Sequence, residues 1–233
     1  MPGGQPFLNS TPHLPEDYDT QVSRVIPYYT SIHQEALYLV KALPFTPDLW
    51  LDTGCGTGSF VKKAIQEFPN TRFLLLDPSE GMLQQAREKL SGCSTARLEF
   101  MQPSPTQDLK WERSDKPDVI TAIQCHHYLC AEERAKATKV CYGLLKEEGA
   151  YITFENIRPL TEAGIIVGKQ YWGNFQLSMG KTQEEVDKHL ARFDVEYFPI
   201  TVEDHLRSLK EAGFRTVEIL WYSYMQAGFY CIK

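Results

Sequence analysis

The 233-residue sequence contains no two cysteines at C-x-x-C spacing. Its six cysteines, Cys55, Cys93, Cys125, Cys130, Cys141 and Cys231, are scattered along a chain long enough to bury its own core. A disulfide framework is therefore not expected, and reduced thiols in a cytoplasmic protein are. No apolar run approaches the length of a membrane span. The opening residues lack the basic segment followed by an apolar stretch that marks a secretory leader. An excess of positive charge is missing as well: 24 Lys and Arg stand against 30 Asp and Glu, a net charge of −6. That balance argues against a grip on nucleic acid by bulk charge. Also absent is the P-loop pattern G-x-x-x-x-G-K-S/T.

What is present is the composition of a globular chain, 42% apolar and 23% charged, sized for one domain with an appendage. Residues 1–15, rich in proline and glycine, read as a disordered tail. Residues 17–43 turn helical, with Val22, Val25, Ile26 and Tyr29 on one face. Ile32, Ala36, Leu37 and Val40 continue that face after a break near Pro27. This marks a helical cap over residues 16–47, ahead of a main domain over 48–233. In that domain, strand candidates at 49–52, 72–76, 97–101, 119–123 and 150–154 alternate with helical patterns. Such alternation implies a parallel sheet with both faces covered.

Residues 157–201 interrupt the rhythm with Gly164, Gly168, Gly173 and Gly180, then a charged helical stretch from 182 to about 191. An insertion after a strand's C-terminal end is well placed to be a lid. Residues 202–212 are helical again with Gly213 as the stop, and 215–222 and 229–232 read as closing strands.

The densest motif is Leu51-Asp52-Thr53-Gly54-Cys55-Gly56-Thr57-Gly58, between a strand and a helix. Glycines there let backbone approach a ligand closely. Asp77 ends the next strand, 19 residues beyond Gly58, where a carboxylate can take both hydroxyls of a ribose. The spacing is G-x-G-x-G, with Ser59 where the dinucleotide fingerprint wants its third small residue. Asp52, before the first glycine, could meet an ammonium group, which S-adenosylmethionine has and a pyrophosphate lacks.

D-x-G-C-G-T-G with a strand-end Asp resembles motif I and the ribose acid of class I S-adenosylmethionine-dependent methyltransferases. Ser79-Glu80-Gly81-Met82-Leu83 and Leu144-Leu145-Lys146-Glu147-Glu148-Gly149 resemble further turns of that family. The resemblance implies a Rossmann-like α/β fold: a seven-stranded mixed sheet of order 3-2-1-4-5-7-6, last strand antiparallel, with the helical cap and the lid. It also implies that Asp52, Gly54, Cys55, Gly56 and Gly58 surround the methionine part of the cofactor. Asp77 and Pro78 hold the ribose, and Met82 packs on the adenine. Where the family usually has an adenine-binding Asp, this chain has Gln102-Pro103-Ser104-Pro105, so Ser104 stands in that place. Gln124, at the end of strand 4, completes the cofactor wall. Cap helices often fold over the cofactor in this family, which assigns Tyr18 and Arg24 to it; an aromatic ring near a sulfonium favours it by cation–π attraction.

Strand 4 runs into Gln124-Cys125-His126-His127-Tyr128. An imidazole at that edge can act as a general base. Two adjacent histidines cannot both face the crevice from a regular strand; His127 is favoured over His126. In the structural reading, one caps the next helix and the other packs. A Cys125/His126/Cys130 metal site matches no common zinc spacing, so no metal is expected. Acceptor contacts are assigned to Tyr28, Glu155, Tyr171, Trp172 and Arg192.

The order of the tail looks most like a clade that includes carboxy-S-adenosylmethionine synthase, an enzyme of tRNA wobble modification. That enzyme holds the added carboxylate with a lid arginine, a position that falls on Leu190 here, with Arg192 two residues on. Plain methyl transfer to a small-molecule acceptor, releasing S-adenosylhomocysteine, is therefore favoured. The synthase-like activity and a non-catalytic binder are the alternatives. Neither a membrane nor nucleic acid is an expected partner; a homodimer is an open one. Residues 158–205 hold five basic against eight acidic residues. Of the 28 aromatic residues only ten lie in 48–157. The surplus elsewhere fits a covered, largely apolar acceptor pocket.

Overall fold

The computed structural model describes residues 14–233, so all but the last two residues of the expected tail lie outside the described residues. The cap is a helical pair, α1 (Tyr18–Val25) and α2 (Tyr29–Ala42), separated at Pro27 and Tyr28. Then follow β1 (Leu49–Thr53), α3 (Ser59–Glu67), β2 (Arg72–Leu76), α4 (Glu80–Lys89), β3 (Leu98–Phe100) and β4 (Val119–Ile123). The second half runs α5 (Ala131–Leu144), β5 (Ala150–Asn156), α6 (Glu162–Ser178), α7 (Gln183–Ala191), α8 (Val202–Ala212), β6 (Thr216–Ser223) and β7 (Gln226–Ile232). The sheet order is β3-β2-β1-β4-β5-β7-β6. The first five strands pair in parallel and β7 pairs antiparallel with both β5 and β6. This is the expected fold.

The sequence folds this way because its central strands are apolar on both sides. Every residue of β1 and β5 is buried. Trp50, Phe73, Ile152 and Phe154 point to the face covered by the cap, α3 and α4. Leu49, Leu51, Leu74, Ile120 and Phe229 point to the face covered by α5 and α8. Trp50 centres the first layer, with Phe60, Phe68 and Phe73 rings at 5.4–5.7 Å and its indole N–H donated to Thr121 Oγ1 at 3.1 Å. Packing of this density places all five parallel strand ends at one edge, where ligands bind in open α/β sheets.

The lid differs from its sequence reading. Residues 162–178, expected to be glycine-interrupted, form one 17-residue helix. Its glycines serve packing: a Cβ on Gly173 would lie 3.2 Å from Val186 of α7, and one on Gly168 would lie 3.1 Å from Met225. Close approach of helices outweighs the helix propensity lost at each glycine, about 1 kcal/mol.

Candidate cofactor and acceptor site

At the C-terminal edge of β1 the chain turns through Gly54, Gly56 and Gly58, all left-handed, with φ of 67°, 53° and 74°. A side chain at Gly54 would overlap Cys125. Gly56 faces open space, with no heavy atom within 4 Å of where its Cβ would stand. The Gly56 N–H donates to Asp77 Oδ2 and the Ser79 N–H to Asp77 Oδ1, both at 2.9 Å. Each carboxylate oxygen keeps a lone pair for a further donor. These groups border a cleft also lined by Tyr18, Pro78, Met82, Gln124, Cys125 and Tyr128.

Two buried carboxylates set the electrostatics. Burial raises Asp52 to about 7, with the Asp77 charge adding to it and the Thr121 hydroxyl opposing it through a 2.5 Å hydrogen bond. Burial likewise raises Asp77 to about 6 against its two backbone donors. An ammonium group near Asp52 would restore its ionised form.

A second, narrow chamber adjoins the cleft and shares Tyr18, Gln124 and Tyr128 with it. Val22 and Val25 of α1 and Ile26 just beyond it form its apolar wall; His127, Asn156, His189, Arg192 and Tyr197 supply the polar one. The strand-end geometry decides which histidine belongs here. After β4, Gln124 takes φ 57°, its N–H donating to the Phe154 carbonyl at 2.7 Å, and residues 126–128 form a single 3-10 turn. Buried Arg134 donates to the carbonyls of His126 and Leu129, both at 3.1 Å, and to that of Phe198, clamping the turn.

His127 therefore faces the chamber, and His126 turns inward. His126 Nε2 meets Thr106 Oγ1 at 3.1 Å and its Nδ1 meets the Tyr151 hydroxyl at 3.2 Å; burial pushes it down to about 4. His126 lines a separate polar cavity with Glu155 and His205, away from the cleft. Glu155 is also behind the chamber, not in it. Burial raises it, but the His127 hydrogen bond and the imidazole charges prevail, holding it at about 2. Its carboxylate accepts the His127 Nδ1 at 2.8 Å, the His127 backbone N–H at 2.9 Å and the Thr153 hydroxyl at 2.7 Å. Asn156 Nδ2 lies 3.2 Å from His127 Nε2, so both ring nitrogens are engaged.

Helix α1 closes both spaces. Asp19 pairs with Lys89, and its Oδ1 accepts Thr57 Oγ1 and Ser59 Oγ at 2.8 Å each, at the glycine turn. On the other side Trp172 Nε1 donates to the Val25 carbonyl at 2.6 Å.

Of the residues assigned to the cofactor, Tyr18, Gly54, Gly56, Asp77, Pro78, Met82 and Gln124 meet in the cleft. Asp52 lies beneath the turn, buried on β1. Five residues depart from the expectation. Arg24 donates to the carbonyls of Met179 and Gly180, tying α1 to the lid, because its long side chain reaches the open carbonyls ending α6. Ser104 borders a separate groove, its hydroxyl on the Pro105 carbonyl at 3.2 Å. Tyr28 and Tyr171 pack on Tyr224 at the surface, and Trp172 is fully buried in the lid. Arg192, in contrast, lines the chamber, its guanidinium about 6 Å from the rings of Tyr128 and Tyr197. Leu190 packs toward Gly173 instead. Sequence reasoning missed Tyr128, His189 and Tyr197, which sit on a turn and a lid where no period marks the inward face. Among the described residues no group of three or more His, Cys, Asp or Glu is placed to hold a metal ion, and no helix is long and apolar enough to cross a membrane.

Residues 51–151 match the model of a methyltransferase domain family. The seven-stranded architecture also matches solved structures. One is an O-methyltransferase family protein from Burkholderia thailandensis, with a TM-score of 0.62 and 17% identity over 87% of this chain. This chain spans 56% of that molecule, under two thirds of its length. Another is the N-methyltransferase NodS from Bradyrhizobium japonicum WM9, with a TM-score of 0.63 and 13% identity, covering 94% of each chain. At these identities the likeness is one of fold. The chain thus has the seven-stranded fold of these methyltransferases, with a methyltransferase-domain match over residues 51–151.

The chain is also similar to carboxy-S-adenosyl-L-methionine synthase from Wolinella succinogenes, 28% identical over 213 residues, or 88% of this chain and 84% of that protein. The resemblance to that clade therefore extends well beyond the glycine turn.

Proposed function

We propose that the protein uses S-adenosylmethionine to methylate a small-molecule acceptor that enters at the chamber beside the cleft. The observation that carries this reading is the wall shared by cleft and chamber, formed by Tyr18, Gln124 and Tyr128. A cofactor in one space would present its reactive end to a molecule in the other.

The residues present fit that cofactor. The open face of Gly56, the spare lone pairs of Asp77 and the buried carboxylate of Asp52 suit an adenosyl group carrying an ammonium. When bound, its sulfonium supplies an activated methyl group. The rings of Tyr18 and Tyr128 at the junction favour positive charge there. Val22, Val25 and Ile26 exclude water from the acceptor. Most of the rate gain then comes from holding the acceptor in line. His127, fixed through Nδ1 by Glu155, presents Nε2, the nitrogen now facing the Asn156 amide. It serves as a base where an acceptor proton displaces that amide.

A second reading, transfer that yields a carboxylated cofactor, is favoured by Arg192. A guanidinium in the chamber wall suits a carboxylate, and the Wolinella succinogenes relative carries the name of such a synthase. Incubation with methyl-deuterated S-adenosylmethionine and a small-molecule cell extract separates the two. The methyl reading expects S-adenosylhomocysteine and a labelled small product by mass spectrometry. A labelled, carboxylated nucleoside instead supports the second reading. Intact cofactor and no labelled product sinks both.

A further inference from the structure

Gln124 is the residue whose conformation and surroundings the fold explains least. Its φ of 57° places a non-glycine side chain in the left-handed region. The residue is 8% exposed, and neither Nε2 nor Oε1 of its amide has a hydrogen-bond partner. A buried amide so placed has lost its hydration without return. The same holds for the Tyr197 hydroxyl, on the lid side of the same chamber and 1% exposed.

Neighbouring polar groups are differently disposed. His127 is engaged by Glu155 and Asn156, and Asn156 Oδ1 accepts from Gln226 Nε2 at 3.2 Å. That chain of contacts engages the Asn156 amide and Gln226 Nε2, leaves Gln226 Oε1 without a partner, and does not reach Gln124. Gln124 also lines both cleft and chamber, so its amide stands where transfer would occur.

We infer that Gln124 is the residue that positions the acceptor, and that the acceptor presents a hydrogen-bond donor beside a hydrogen-bond acceptor. Such an edge occurs in lactams, carboxamides and hydroxy-heteroaromatics. Oε1 accepts the N–H or O–H of the nucleophilic atom, Nε2 donates to the adjacent oxygen or nitrogen, and the Tyr197 hydroxyl completes the set. A paired amide fixes both the position and the rotation of a flat acceptor, where one hydrogen bond fixes only its distance. In the transfer, the nucleophile's lone pair forms the new bond to the methyl carbon. The carbon–sulfur bond breaks with its pair left on sulfur, and the nucleophile's proton passes to His127 Nε2 in the same wall, displacing the Asn156 amide. The inference rests on the methyl-transfer reading and names its substrate class.

Calorimetry on the S-adenosylhomocysteine-loaded protein tests it with two probes of nearly the same shape. 2-Pyridone offers adjacent N–H and C=O; N-methyl-2-pyridone lacks the N–H. The wild type should bind 2-pyridone about tenfold more tightly, the worth of one well-made hydrogen bond. Gln124→Leu should bring the two probes within about twofold. Gln124→Gly, which removes the amide and relieves the positive φ, should do the same, so a folding defect in the leucine variant does not decide the matter. Gln124→Asn, which keeps both amide atoms, should retain part of the preference. A purely structural Gln124 would leave the probe preference unmoved in every folded variant. Equal binding of the probes by the wild type, binding of neither, or an unchanged preference in Gln124→Gly overturns the inference. Loss of S-adenosylhomocysteine binding by the wild type in the same experiment overturns the methyl-transfer reading instead.

Discussion

Asp52 carries the charge whose state the ligand should change. Its buried carboxyl sits at about 7, so near neutral pH about half the protein holds a proton there. An ammonium group would expel that proton. Cofactor binding at pH 6.5 is therefore expected to release protons, read as a binding enthalpy that varies with the buffer's ionisation heat. In Asp52→Asn that variation should vanish and affinity should fall about tenfold or more, as for a lost charge-assisted hydrogen bond. The same residue costs stability. Its raised value contributes stability that is complete below the unfolded carboxyl range near ~3.9 and lost as pH rises through about 7. Asp52→Asn should accordingly be more stable than wild type at pH 8 in urea denaturation, and no more stable at pH 4. A variant less stable at pH 8 would show that the carboxylate is better compensated than its single Thr121 bond indicates.

At the scale of elements, α1 is held from two sides. Lys89 of α4 joins Asp19 at the glycine turn, and Trp172 of α6 anchors the Val25 carbonyl. Lys89→Ala should free the first contact and leave the core intact. Hydrogen exchange in residues 18–25 should then rise several-fold, with exchange in β1 unchanged; equal protection in both proteins would mean that the Lys89–Asp19 pair is dispensable. Trp172→Ala should cost about 3–5 kcal/mol, since it empties a fully buried site and orphans a carbonyl. Thermal unfolding measures it, and a loss under about 1 kcal/mol would contradict the packing described.

These elements also mark where the sequence was legible. The break at Pro27 and the stop at Gly213 are local signals and appear where expected. The glycines of α6 misled because close packing against Val186 and Met225 is a tertiary cause invisible to local spacing. The adjacent histidines were ambiguous for a similar reason. The turn that separates them depends on Arg134 reaching the distant Phe198 carbonyl. Glycine turn and strand-end acid, in contrast, are fixed by backbone needs and could be read directly.

Across the whole molecule, buried titratable groups oppose one another in acid. Burial depresses His33 to about 3 and His126 and His205 to about 4. Each contributes stability that is complete above the unfolded imidazole value near ~6.5 and lost as pH falls through the folded value. Asp52 and Asp77 work the other way between ~3.9 and their raised values. Near pH 5 the unfolded chain holds about three imidazole protons that the native state lacks, and the native state about two carboxyl protons. Stability should thus rise with pH there by about 1.4 kcal/mol per unit, the slope for one proton. Asp52→Asn should roughly double that slope in denaturation series from pH 4.5 to 5.5. A flat profile in both proteins would mean that the histidines are hydrated in the folded state.

The account stands on one nucleoside site built from the glycine turn and Asp77. Calorimetric titration of S-adenosylmethionine into wild type and Asp77→Ala tests it most directly. The account predicts one site per chain in the wild type, weakened at least about tenfold by loss of the carboxylate's hydrogen bonds. Absence of binding in the wild type, or equal affinity in the two proteins, would contradict it.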